Sequence, residues 1–183
     1  MRGGRLAVAV SLLLATLACS AGALGSSPAP TATAPRSGLL VCHVTPGVSP
    51  PAKADPTIAA PQTQGMTFGR GPVYAVIFGA SHEVIPFPTA GPDGIFIQKV
   101  QWLTNRSYRG KVTVSGHRLD GPGVAFVGGY PPDLSSVSWS VPGLNGYFEP
   151  GVAAVRTPGC YQWDVVGNGF SYKIVFNATV DRM

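Results

Sequence analysis

Acid–base or nucleophilic catalysis would have to come from three histidines, eight acidic residues and the serines near them. Ser81, His82 and Glu83 stand side by side, and they are the residue types that serine hydrolases use. Consecutive residues of an extended chain point to opposite faces, so these three side chains cannot converge on one substrate. The sequence has no G-x-S-x-G nucleophile elbow, and its carboxylates are scattered singly. It therefore predicts a protein that is not an enzyme; a hydrolase with an unrecognised site is the less favoured alternative.

A metal site would need thiolate, imidazole or carboxylate ligands at short, repeated spacings. The soft donors are far apart along the chain: Cys42, His43, Met66, His82 and His117. Neither C-x-x-C nor H-x-x-x-H occurs among them. The sequence therefore predicts no metal and no cofactor.

The first residues have the pattern of an export signal. Arg2 and Arg5 precede an apolar run, residues 6–17, which only Ser11 and Thr16 interrupt. A helix of these 12 residues would be about 18 Å long at ~1.5 Å per residue, whereas the hydrocarbon core of a membrane is ~30 Å thick. The run is too short to span a membrane stably. A basic start, a short apolar run and small residues are typical of a cleavable signal.

The sequence leaves two cleavage sites open. Thr16-Leu17-Ala18-Cys19 resembles the lipobox of bacterial lipoproteins, in which the cysteine is acylated and becomes the new N-terminus. Residues 1–18 would then be the signal peptide and residues 19–37 a flexible linker, rich in Ala, Ser, Thr, Gly and Pro. The lipid on Cys19 would anchor the exported protein to the outer face of the cell membrane. Alternatively, cleavage follows Ala23 and the protein is secreted.

The count of cysteines bears on this choice, because an unpaired thiol is a liability in an oxidising compartment. The chain has three: Cys19, Cys42 and Cys160. If Cys19 carries lipid, the other two form an even pair. A Cys42–Cys160 disulfide would close a loop of more than a hundred residues and stabilise the fold by up to ~4–5 kcal/mol. Two separate buried thiols are the alternative.

A basic segment without Asp or Glu contains Lys99, Arg106, Arg109, Lys111 and Arg118. We expect residues 105–110 to form a hairpin tip. The hypothesis is that Arg106 and Arg109 contact an anionic partner, such as lipid headgroups or an acidic envelope polymer. The alternative is a solvated hairpin whose Trp102 and Tyr108 belong to the core. The formal net charge of +5 falls to about +3 without the two arginines of the signal, which does not indicate a nucleic-acid partner.

Glycine and proline are frequent, with 24 and 18 residues, and charged residues make up only 11%. Because both residues mark turns, we expect many short strands, and residues 38–183 are predicted to be a single antiparallel Ig-like β-sandwich. The loop at residues 48–71 is long enough to be a functional candidate. Alternating or continuous apolar patterns predict strands at residues 39–44, 73–78, 95–103, 111–119, 124–127, 137–141, 151–156, 160–166 and 170–180.

Three segments carry a resemblance to a family. Residues 41–46, V-C-H-V-T-P, are similar to the C-P-V-T-P opening of a group of bacterial extracytoplasmic lipoproteins of unknown activity. Residues 156–165, R-T-P-G-C-Y-Q-W-D-V, resemble that group's P-T-x-G-C-W-E-V-x-G segment, and residues 111–120 fit its central strand. His43 replaces a proline of the family pattern and Tyr161 a tryptophan. The resemblance implies a small β-sandwich with the two motif cysteines near each other, and it implies no activity.

The sequence thus favours a non-enzymatic, lipid-anchored binding or structural module of the cell envelope. A secreted carbohydrate- or peptide-binding domain is the alternative. In that case Tyr130, Trp139 and Tyr147, in a segment rich in Gly and Pro, would line a groove. Core packing of these three aromatics is the less specific interpretation.

Overall fold

The computed structural model describes residues 41–49, 55, 65–128, 135–142 and 148–180. All of them belong to one unit, Ser37–Met183. The predicted signal peptide, the linker, Tyr130 and Tyr147 lie outside the described residues. Within the described part, no helix is long and apolar enough to cross a membrane.

The described residues form strands and one turn of 3-10 helix, Pro92–Gly94. The strands are β1 (Met66–Phe68), β2 (Val73–Ile77), β3 (Val84–Phe87), β4 (Thr89–Ala90), β5 (Phe96–Thr104), β6 (Gly110–Arg118), β7 (Phe126–Gly128), β8 (Ser136–Val141), β9 (Phe148–Val155), β10 (Gly159–Gly167) and β11 (Phe170–Val180).

The strands form two sheets that pack into a sandwich. One sheet has six strands in the order β1-β2-β5-β9-β7, with β4 also paired to β5. The other has five strands in the order β3-β11-β10-β6-β8. The predicted all-β, Ig-like sandwich is confirmed, with one difference from a purely antiparallel arrangement: β3 pairs with β11 in parallel.

The hairpin of β10 and β11 shows how the sequence specifies this architecture. Ile174, Phe176 and Ala178 alternate along β11 and are buried, whereas Lys173 is exposed. One face of the strand therefore belongs to the core and the other meets solvent. Gly169, with φ of +80°, closes the tight turn between the two strands, where a residue with a side chain would be strained.

The core between the sheets is centred on aromatic rings. Trp163 packs against Phe176 with ring centroids 4.4 Å apart, and against Trp102 at 5.5 Å. Trp102 also contacts Trp139 at 5.9 Å. Trp102 comes from the six-stranded sheet and the other three rings from the five-stranded sheet, so this cluster joins the two layers.

The predicted strand at residues 39–44 is wrong for its described part. Residues 41–49, which we call the strap, form an isolated bridge, Val48 to Thr67, and no regular strand. Thr45 pairs with Val175 of β11, but its side-chain hydroxyl accepts the bond from the Val175 N–H. Because a side-chain oxygen occupies the place of a backbone carbonyl, the regular ladder does not form.

The prediction of an uninterrupted loop over residues 48–71 is also wrong, because it contains β1. Residues 50–54 and 56–64 lie outside the described part. Asp55 accepts a hydrogen bond from the hydroxyl of Tyr74 at 3.1 Å, which ties this region to the outer face of β2. Burial, together with the neighbouring carboxylate of Asp55, raises the pKa of Tyr74 to about 12.

Residues 105–109 are not the tip of a hairpin. β5 lies in the six-stranded sheet and β6 in the five-stranded sheet, so this segment crosses between the layers. Tyr108 holds the crossing in place: its hydroxyl donates to the carbonyl of Lys111 at 2.8 Å and accepts from the N–H of Asn168 at 3.0 Å. Trp102 and Tyr108 are both buried in the core. This agrees with the alternative in which these two aromatics pack in the core rather than meet a partner.

Candidate functional site

The structure contains a disulfide between Cys42 and Cys160, with their Cα atoms 5.7 Å apart. Tyr161 and Trp163 of β10 belong to the core, so Cys160, which lies next to Tyr161 on an extended strand, faces the outer side of the five-stranded sheet. The bond therefore does not cross the core between the two sheets. It attaches the strap to the outside of β10.

The strap also connects the two sheets. The N–H of Thr45 donates to the carbonyl of Val175 in the five-stranded sheet, and Val48 pairs with Thr67 in the six-stranded sheet. Between them, Gly47 exchanges two bonds with His82: its N–H donates to the His82 carbonyl at 2.9 Å, and its carbonyl lies 2.7 Å from the His82 Nδ1. His82 thus has a structural partner in the strap.

The five basic residues do not form one patch. Arg106 and Arg109 are exposed in the crossing segment, and Lys111 is exposed at the start of β6. Lys99 lies on the outer face of the six-stranded sheet. Arg118 ends β6, seven residues after Lys111. At ~3.3 Å per residue of extended strand, these two residues are roughly 23 Å apart.

Arg118 is held in a structural network. Its Nε donates to Asp120, and one terminal nitrogen donates to the Thr157 hydroxyl at 2.9 Å. The guanidinium also lies over the ring of Tyr161, 5.9 Å from its centroid. Asp120 in turn accepts from the N–H of Cys160 at 3.1 Å. The hydrogen bond from Arg118 lowers the pKa of Asp120, so both charges stabilise the turn that carries the disulfide.

The structure brings together one acid–base pair that the sequence did not indicate. His117 Nδ1 lies 3.4 Å from Asp164 on the outer face of the five-stranded sheet, and Gln162 donates to the same carboxylate at 2.7 Å. These residues become neighbours through the pairing of β6 with β10, which only the sheet register reveals. The pair is half-exposed. Among the described residues, no group of three or more His, Cys, Asp or Glu side chains could hold a metal ion.

A groove of about 380 Å³ runs over the outer face of β5 and β9, and we call it the β5–β9 groove. Phe148, 39% exposed, forms an apolar wall, and Lys99 provides a positive charge at its border. The lining residues are Lys99, Val100, Gln101, Gly128, Phe148, Pro150, Gly151 and Val152.

A smaller cavity of about 90 Å³, the tryptophan cavity, adjoins this groove. It is bordered by the rings of Trp102 and Trp139, and it shares Gly128, Pro150 and Gly151 with the groove. Trp139 is only 9% exposed, and its indole Nε1 has no hydrogen-bond partner among the described residues. The prediction that Trp139 is an exposed aromatic lining a groove is therefore wrong. Its ring belongs to the core and also borders a cavity.

No protein-family model matches the chain, and no curated protein matches it. Among solved structures, the chain is similar to the ASH / PapD-like domain of human CEP192 (PapD-like domain 7), with 14% sequence identity and a TM-score of 0.32. The likeness covers 61% of this chain and 85% of that one. At these values it carries no argument about function, and the resemblance to bacterial lipoproteins stays a prediction.

Proposed function

We propose that the protein is an exported, lipid-anchored and non-enzymatic binding module of the bacterial cell envelope. The observation that carries the proposal is the disulfide between Cys42 and Cys160. It uses two of the three cysteines in the chain and leaves Cys19, which directly follows the apolar run and the lipobox-like residues. Acylation of Cys19 would account for the third thiol in a compartment where disulfides persist.

The position of the disulfide supports the same proposal. The strap is the first described part of the chain, and residues 19–37 would connect it to the lipid. A bond from Cys42 to β10 transfers a pull on the linker to a strand paired on both sides, by β6 and β11. Without it, the same pull would act on the few hydrogen bonds that hold the strap to Val175, His82 and Thr67.

The binding role is supported by the β5–β9 groove and the adjoining tryptophan cavity. Ligand sites are commonly concave, lined mainly by apolar side chains and supplied with a few polar groups. Both features occur in the groove, with Phe148, Pro150 and Val152 as apolar lining and Lys99 as a polar group. A secreted binding domain, with cleavage after Ala23, is the alternative and would use the same surface.

The test is mass spectrometry of the mature N-terminus after expression of the full chain in a bacterium that processes lipoproteins. We expect an N-terminal Cys19 that carries acyl chains, and we expect the protein in the membrane fraction. Cys19→Ala should abolish both, whereas the Cys42→Ser/Cys160→Ser double variant should keep the lipid. An unmodified N-terminus at Leu24 would refute the anchor and favour the secreted alternative.

A further inference from the structure

We propose that a cavity lined by Arg118 and Arg156, which we call the two-arginine pocket, binds a small monocarboxylate that carries an apolar group. The inference goes beyond the function proposed above. The pocket shares no lining residue with the β5–β9 groove, and it does not depend on a lipid at Cys19. It rests on the fixed guanidinium of Arg156, on the balance of charge around the pocket and on the apolar walls.

The pocket lies where the chain crosses twice between the sheets. Residues 119–125 connect β6 to β7, and residues 156–158 connect β9 to β10. The two connections meet, because Arg118 donates to the Thr157 hydroxyl and the N–H of Leu119 donates to the Cys160 carbonyl. The space between them has a volume of about 340 Å³, which is within the usual range for small-molecule sites.

Arg156 provides an oriented pair of hydrogen-bond donors at the pocket. Its guanidinium lies over the ring of Phe126, 5.6 Å from the centroid, and its Nη1 donates to the carbonyl of Asp93. The other edge, formed by Nε and Nη2, has no hydrogen-bond partner among the described residues, and Arg156 is exposed. A carboxylate can accept two parallel hydrogen bonds from such an edge. Because the plane of the guanidinium is already held, less conformational entropy is lost on binding.

The balance of charge around the pocket favours a monoanion. Arg118 is also held in place, but its charge is compensated by the ion pair with Asp120. Arg156 forms no ion pair in the described part of the chain. The charged residues of the lining therefore leave one positive charge without a counter-charge. One carboxylate would neutralise it, whereas a phosphate dianion would keep an unpaired charge against apolar walls.

The walls determine the rest of the ligand. Pro122 and Val124 line the pocket, and they are apolar. The hydroxyls of Thr157 and Tyr161 belong to the lining too, but both are already hydrogen-bonded within the protein, which favours an apolar body over a sugar. The volume corresponds to roughly eleven water molecules at ~30 Å³ each. An acylated amino acid with a branched aliphatic side chain is of this size.

The test is titration of the full chain at neutral pH with N-acetyl-leucine, with N-acetyl-leucine amide as the neutral control that differs only at the carboxyl group. Binding is followed by NMR, through the arginine Nε–H signals and the backbone signals of Gly123 and Val124. We expect at least tenfold tighter binding of the acid and the largest arginine shift at Arg156. Acetate and inorganic phosphate, which lack the apolar body, should each bind at least fivefold more weakly. The acetylated tripeptide Ala-Ala-Leu shows whether the carboxylate can also come from the end of a peptide.

Three variants locate the site. Arg156→Gln removes both the charge and the donor pair, and it should weaken binding of N-acetyl-leucine at least tenfold. Arg156→Lys keeps the charge but loses the planar fork, so its loss should be smaller, roughly three- to fivefold. Arg70→Gln is the matched control, because Arg70 is an exposed arginine that lines a different cavity. Its binding should change less than twofold, and urea unfolding shows whether each variant is folded.

Several outcomes would overturn the inference. They are equal binding of the acid and the amide, no binding of the acid, tighter binding of phosphate than of the acid, or equal losses in Arg156→Gln and Arg70→Gln. If Arg156→Gln failed to fold, the comparison of acid with amide on the natural chain would still decide. None of these results bears on the lipid at Cys19, which is measured separately.

Discussion

Cys42 and Cys160 are bonded on the outer face of the five-stranded sheet, where the disulfide fastens the strap rather than joining the two layers of the core. The two layers are held together by the aromatic cluster of Trp102, Trp139 and Trp163. The disulfide and the aromatic cluster therefore act at different places in the fold, the one on the outer face of β10 and the other between the two sheets.

Removal of the disulfide should lower stability and release the strap. The two cysteines are 118 positions apart, and closing a loop of about that length stabilises by ~4–5 kcal/mol in the chain-entropy model. We expect the Cys42→Ser/Cys160→Ser double variant to lose about that much free energy of unfolding in urea, and to be cleaved by proteases within residues 41–49. Cys19→Ala is the control and should change neither measurement. An unchanged urea midpoint would contradict the structural role.

The contribution of Asp120 to the free energy of unfolding should disappear in acid. Because the hydrogen bond from Arg118 lowers its pKa in the folded state, folding favours the charged carboxylate. The contribution is complete above the unfolded-state pKa of ~3.9 and is lost as the pH falls through the lower folded-state value. Asp120→Asn should therefore destabilise by ~1 kcal/mol at pH 7 and by progressively less below pH ~4. Urea unfolding across this range measures it; a pH-independent difference would show that the charge is not responsible.

Gly116 should tolerate no side chain. Its Cβ would lie 2.2 Å from the carbonyl oxygen of Ala125 and 3.0 Å from the ring of Trp163. Gly116→Ala therefore forces the backbone near Ala125 or the core ring to move, and we expect a loss of about 3 kcal/mol or failure to fold. At Gly121 a Cβ would meet only the flexible side chain of Arg118, at 3.6 Å. Gly121→Ala is the control, with a change of ~0.5 kcal/mol or less in thermal unfolding.

The parts of the fold that can be predicted are those determined by local alternation. Along β11 and β6, buried residues alternate with more exposed ones, and this period of two is visible in the sequence. The glycine that the β10–β11 turn requires is visible there too. β3 gives no such signal because it is short, contains Pro86 and is stabilised by parallel pairing with β11, a partner more than ninety residues away. The strand predicted at residues 39–44 is wrong for residues 41–44, and directly after them the Thr45 hydroxyl, rather than a backbone carbonyl, accepts from the Val175 N–H.

The candidate site is predictable only in part. Trp139 stands out as an aromatic residue, but the local pattern gives no sign that Gly128 and Gly151 border the same cavity. These glycines meet because β7 and β9 are neighbours in the six-stranded sheet, which is a property of the topology. The separation of Arg118 from Arg109, by contrast, follows from a nine-residue extended strand, and strand length alone could have indicated it.

Arg106 and Arg109 remain the residues to test for contact with an anionic surface. Both are exposed in the segment that crosses between the sheets. Each basic residue near an anionic membrane contributes about 1 kcal/mol, so the Arg106→Glu/Arg109→Glu variant should bind phosphatidylglycerol vesicles at least tenfold more weakly at low salt. The difference should shrink as salt screens the charges. Arg70→Glu/Lys173→Glu, at two exposed positions away from the crossing segment, changes the net charge by the same amount and is the control. Equal vesicle binding by the three proteins would exclude a specific role for this segment.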